Sequence, residues 1–188
     1  MFSNLKNYDL RTIELYIVII FFASFFAFLA QYNLKRSGKD YRILALINYI
    51  ISFMILAFFA CFSAVGQDKE GYALIFTGMN IKKYSWQIEP GYYGLVLLIR
   101  KFTNNGDVFN GIISFLTLFF VYRGIWKWKN KLHIGLVIFI FSNCYYLQSY
   151  CLARMYLAMS ILIYFSFLIA EKKYKKYLLV ALLTCTIH

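Results

Sequence analysis

Residues 134–170 read IGLVIFIFSNCYYLQSYCLARMYLAMSILIYFSFLIA, and Arg154 is the only charge in the run. As one straight helix this stretch would be about 55 Å long, against a bilayer hydrocarbon core of roughly 30 Å. It has to turn back on itself, and the polar cluster Asn143, Gln148 and Ser149 is the place for the turn. The run therefore reads as two membrane passages, Ile134 to about Leu147 and about Leu152 to Ala170, with Arg154 in the first turn of the returning helix. Strands of a barrel would alternate polar and apolar residues, which this run does not do.

The same reading extends along the chain. Leu15 to Ala30, Ile43 to Val65 and Val108 to Tyr122 are further apolar runs, and another begins at Tyr177. From Tyr177 to His188 there is only about 18 Å of helix, so this passage is expected to continue beyond His188. The first run lacks a small-residue cleavage site and is expected to be a retained span. Across 188 residues, 62% hydrophobic content, 15% charge and a mean hydropathy of +0.62 exclude an ordinary soluble domain. The expected architecture is an all-α polytopic transmembrane bundle forming a single membrane-embedded domain over 1–188.

A net charge of +12 suggests nucleic acid only if the cations share a soluble face, and here they lie between apolar runs. Lys35, Arg36, Lys39 and Arg42 fill one short connection, Arg123, Lys127, Lys129 and Lys131 a second, and Lys172, Lys173, Lys175 and Lys176 a third. Asp40 and Glu171 are the only acids among them. Basic short loops stay on the cytoplasmic side, which places the N-terminus and the segment 67–107 outside. Within that segment, Gly91 to Phe102 is too short to cross and is expected to lie at the interface. Pro90 suits its first helical position, with Tyr92, Leu95, Val96, Ile99 and Phe102 on one face. Cys61, Cys144, Cys151 and Cys185 have neither CxxC spacing nor His companions and read as small lipid-facing or core residues, not as a zinc site.

This topology gathers Asp68, Glu89, Arg154 and His188 on the outer side. Asp68 reads either as a solvated loop acid or as a polar group in a site. Glu89, before Pro90, has an extended backbone and either caps the following helix or offers a proton acceptor. Arg154 faces the positive end of its helix macrodipole and wants an anion; it either binds phosphate oxygens or snorkels to headgroups. His188 is a candidate base or a neutral histidine bonded inside the bundle. Tyr72, Tyr92, Tyr93, Tyr145, Tyr146, Tyr150 and Tyr156 form an aromatic belt or, for some of them, platforms for sugar rings. No HExxH or GxSxG motif occurs, which leaves zinc proteolysis and serine hydrolysis without support.

Gly66-x-Asp68-x-x-x-Tyr72, Glu89-Pro90-Gly91-Tyr92, Arg154-x-x-x-Ala158 and Ile187-His188, in this order, resemble the EpsG-like family of bacterial Wzy-type polysaccharide polymerases. The resemblance runs from about Ala57 to His188. It implies a multi-span enzyme of the bacterial cytoplasmic membrane joining repeat units on the outer face. The implied substrate is a polyprenyl-diphosphate-linked oligosaccharide, with other polysaccharide export proteins as partners and no cofactor or metal. Arg154 would then stabilise the leaving diphosphate, Glu89 or His188 would take the acceptor proton, and Asp68 would orient the sugar, with Tyr72 and Tyr92 binding sugar. Members often carry an Arg shortly before Gly-x-Asp, where this chain has Cys61, Phe62 and Ser63. Helices beyond His188 are expected to close the site. The alternatives are a transporter or flippase of lipid-linked glycans, for which no internal repeat is visible, and a non-catalytic membrane subunit.

Overall fold

A computed structural model describes residues 10–62, 69–78 and 88–188, and every regular element among them is helical. Helices α1 (Leu10–Leu34), α2 (Lys39–Phe62), α3 (Lys69–Thr77), α4 (Pro90–Arg100) and α5 (Gly106–Lys127) are followed by α6 (Ile134–Cys144) and α7 (Gln148–Cys151). Then come α8 (Ala153–Phe165), α9 (Phe167–Ala170) and α10 (Tyr174–Thr184). Four stretches are long and apolar enough to cross a bilayer: Ile13–Leu34, Lys39–Phe62, Gly106–Lys127 and Ala153–Ala170. The last is α8 and α9, joined through Ser166.

The bundle is built on small residues and on polar side chains that bond across helices. Ala23, Ala27 and Ala30 lie on the buried face of α1, at the spacing that lets two backbones approach closely. Against that face, the Ser52 hydroxyl on α2 donates to the Ala23 carbonyl (2.7 Å) and bonds the Tyr122 hydroxyl on α5 (2.9 Å). Tyr49 donates to the Tyr122 carbonyl (2.7 Å) and Tyr146 to the Leu56 carbonyl (2.8 Å), so these buried phenols find partners where lipid offers none. On α5, a Cβ at Gly124 would lie 3.1 Å from the Tyr164 Cα, which is why α5 and α8 pack at backbone contact.

The segment after His133 runs back along α1. His133 caps α6, its Nδ1 accepting from Leu136 N (3.1 Å), while the Gln31 side chain accepts from Ile134 N (2.7 Å). At the other end of α1, Tyr150 meets Tyr16 (6.5 Å between centroids). The helix itself is short, 11 residues, because it stops at Cys144 and the turn Tyr145–Leu147 and α7 carry the chain the rest of the way. The turn thus falls between the polar residues expected to hold it.

Helix α4 packs its Tyr92, Val96 and Ile99 face against Phe76 of α3, Phe109 and Ile113 of α5, and Leu157 of α8. Phe102 does not share that face: α4 ends at Arg100, and Phe102 sits in the turn beyond it, 83% exposed. The bundle has two distinct ends. The connections 35–38, 128–133 and 171–173 lie together at one, tied by Gln31 to Ile134 and by Trp128 Nε1 donating to the Ser166 hydroxyl (3.0 Å). At the other lie α3, α4 and the starts of α5 and α8.

Candidate functional site

Arg154 occupies the first turn of α8, where the chain breaks at Leu152 (φ −112°, ψ 48°) before the helix begins. A cation there opposes the positive end of the helix dipole. Glu89 supplies the offsetting charge: its Oε2 accepts from Nη1 of Arg154. The guanidinium lies between two aromatic rings, 5.8 Å from the Tyr72 centroid and 5.4 Å from that of Tyr92, distances at which ring and cation attract. The Nε of Arg154 is buried and has no hydrogen-bond partner.

Glu89 is held by its neighbours in sequence. Preceding Pro90, it adopts extended backbone (φ −58°, ψ 137°) at the N-cap of α4, yet its carboxylate makes no capping bond. The cap comes from elsewhere in the chain. Gly91 N and Tyr92 N both donate to the Thr186 carbonyl (2.7 and 3.3 Å), so the end of α10 satisfies the free amides at the start of α4. This head-to-tail contact needs glycine: a Cβ at Gly91 would lie 2.1 Å from Thr186 Oγ1 and 2.8 Å from the Thr186 carbonyl oxygen.

The same contact brings the end of the chain to Glu89. His188 Nδ1 lies 3.6 Å from Glu89 Oε1, longer than a hydrogen bond but at ion-pair range. Glu89 therefore stands between the guanidinium and the imidazole, one oxygen toward each. All three side chains are part-exposed, Arg154 at 26%, Glu89 at 30% and His188 at 46%. A guanidinium in contact with Glu89 also disfavours a divalent cation on that carboxylate.

The tyrosines divide. Tyr92 is 1% exposed, its ring closed in by Tyr72 (6.3 Å) and Phe109 (6.1 Å), which leaves no face for a sugar. Burial also raises the pKa of its phenol above the usual value. Tyr72 is half-buried, with its ring facing the Arg154 guanidinium. Tyr146 and Tyr150 are core residues, not members of an aromatic belt, whereas Tyr145 is exposed. Asp68 lies outside the described residues.

The EpsG family profile matches residues 46–188, well over half of the chain. The chain belongs to the EpsG family. Family members are Wzy-like polysaccharide polymerases, which supports an exopolysaccharide-related polymerase role in general terms. No curated protein and no solved structure matches the chain. The EpsG match takes in Tyr72, Glu89, Arg154 and His188 and leaves out the whole of α1, whose described contribution is packing. Sequence reasoning had no role for Thr186, because a backbone carbonyl carries no residue-type signal. Gly91 did carry one: a glycine directly after a helix-opening proline marks a close approach.

Proposed function

We propose that this EpsG-family protein joins polyprenyl-diphosphate-linked oligosaccharide repeat units into capsular or exopolysaccharide on the outer face of the bacterial cytoplasmic membrane. The observation that carries the reading is the chain Arg154–Glu89–His188, drawn from three separate parts of the sequence into one part-open cluster. In the reaction, an acceptor sugar hydroxyl attacks the anomeric carbon of the donor. A new glycosidic C–O bond forms as the bond to the diphosphate oxygen breaks, and the electron pair leaves with the lipid diphosphate. Arg154 receives that charge. Nη1 is engaged by Glu89 and Nε is buried, so Nη2 is the group that meets the diphosphate.

The acceptor proton passes to His188. With Nδ1 turned toward Glu89, Nε2 is the nitrogen left to face the substrate, and a carboxylate behind an imidazole both orients it and stabilises the cation that forms. Glu89 is then a positioning residue between base and anion site. Tyr72 borders the sugar, and Asp68, the residue directly before α3 in the sequence, remains a candidate for orienting it.

A flippase would need a polar path across the bilayer. Here the buried polar side chains of the bundle interior, such as Ser52, Tyr49 and Tyr122, are engaged in helix–helix bonds. The test is where lipid-linked single units collect in cells producing Arg154→Ala. A polymerase defect leaves them on the outer face, with polymer lost; normal polymer, or units trapped on the inner face, rejects the assignment.

A further inference from the structure

A groove of about 620 Å³ opens between the end of α2 and the start of α5, with apolar walls from Phe62, Val108, Ile112, Phe115 and Leu116. Phe62, Val108 and Phe115 are exposed side chains of two membrane-length helices, so the groove faces the hydrocarbon sideways. A second groove of about 280 Å³ lies further along the same seam, between Leu46, Ile50 and Met54 of α2 and Phe119 and Trp126 of α5. On α5 the two linings form one stripe at helical spacing, 108, 112, 115, 119, 123 and 126, and on α2 the antiparallel stripe is 62, 61, 54, 50 and 46. Phe115 of the first groove stacks on Phe119 of the second (6.4 Å). Phe115 also meets Phe53 of α2 (5.5 Å), so two grooves lie end to end along one seam with these rings between them, and Arg123 lines the far end.

Its charged end is at the site end. Lys69, the first residue of α3, lines the first groove together with Asp107. It also lines a gap of about 10 Å³, room for one water, with Tyr72, Asn110, Ser114, Tyr150 and Ala153, the residue before Arg154 in the sequence. Lys69 is half-buried and has no carboxylate within ion-pair distance among the described residues; its backbone is fixed by Asn110 Nδ2 donating to the Lys69 carbonyl (3.0 Å). Burial lowers the pKa of this ammonium, with Asp107 pulling the other way. A half-desolvated cation at the mouth of an apolar trough matches an amphiphile with an anionic head.

We propose that the α2–α5 seam seats the lipid chain of the polyprenyl-diphosphate-linked substrate, with Lys69 meeting its phosphates on the way to Arg154. The inference rests on the polymerase reading. It commits to a polyprenyl chain because the positions lining the two grooves, 46–62 on α2 and 108–126 on α5, extend over about 24–27 Å of helix, more than the roughly 15 Å of one leaflet that an ordinary acyl chain fills.

Photolabelling of the native protein in nanodiscs tests this, using a polyprenyl monophosphate that carries a diazirine midway along its lipid chain. The label should fall within 46–62 and 106–126, saturate, and be displaced by unlabelled polyprenyl phosphate but not by phosphatidylglycerol. Lys69→Gln should weaken labelling about tenfold, the loss of one charge-assisted contact. Val108→Trp and Phe115→Trp, which fill the trough from its lipid side without entering the core, should abolish it. Equal displacement by phosphatidylglycerol would reduce the seam to ordinary lipid contact and overturn the proposal. Saturable labelling on other helices, with Arg154→Ala still blocking polymer, rejects the seam and leaves the polymerase reading standing; no saturable labelling anywhere rejects both.

Discussion

Arg154 sits where its own helix resists a positive charge, and a carboxylate from a remote segment offsets that resistance. Because the pair is part-exposed, its value to stability is modest, and its geometry matters more for what it presents to a ligand. Arg154→Lys keeps the charge but loses the planar fork, so it should retain part of the activity, whereas Arg154→Ala should lose about a hundredfold or more at matched protein levels. The same reasoning separates Glu89 from His188. If Glu89 acts through the imidazole, Glu89→Gln and His188→Gln should each reduce polymer synthesis by about a hundredfold, and the double variant should be hardly worse than either. Losses that multiply in the double variant would mean independent roles and would remove the carboxylate–imidazole chain from the mechanism. Arg154, Glu89 and His188 were legible as candidates because each is a charged or titratable group in an apolar setting. Their pairing was not legible: Glu89 and Arg154 are far apart in sequence, and a helix-opening acid reads first as a cap.

At the scale of elements, the site depends on one helix end docking against another. The Thr186 carbonyl accepts from the first amides of α4, and His188 lies two residues further on, so this contact sets the distance from His188 to Glu89. Gly91→Ala forces a Cβ into Thr186 backbone and should cost about 1–3 kcal/mol as overpacking, taken up by displacement of the end of α10. Thr186→Ala removes only the hydroxyl, leaves the accepting carbonyl, and should be tolerated. A short thiol crosslinker on Glu89→Cys/His188→Cys, in a background without the native cysteines, reads the separation directly: it should close efficiently with Gly91 and poorly with alanine there. Equal crosslinking in both would show that α10 is held by other contacts. Elements of this kind mark the limit of sequence reading. The long apolar runs and the helix after Glu89 follow from hydropathy and from Pro90, but Phe102 was assigned to the α4 face although the helix stops at Arg100. Helix ends are set by tertiary partners, which local periodicity does not contain.

For the whole molecule, the arrangement of charge and site along the bundle axis decides on which side of the membrane chemistry takes place. Lys35, Arg36, Lys129, Lys131, Lys172 and Lys173 crowd the connections at one end, while Arg154, Glu89 and His188 lie at the other. Short loops rich in Lys and Arg remain in the cytoplasm, so the site end should be extracytoplasmic, the side on which polymer would be assembled and exported. Cysteines placed singly at Asn104, exposed between α4 and α5, and at Lys129, between α5 and α6, report on the two ends. In intact cells whose native cysteines are replaced, an impermeant maleimide should label position 104 and spare position 129 until the membrane is opened. The reverse pattern would put Arg154 and His188 in the cytoplasm, where lipid-linked units are still being built. In that case the same Arg154–Glu89–His188 geometry would have to serve a transferase acting before export, and the outer-face polymerase would be excluded.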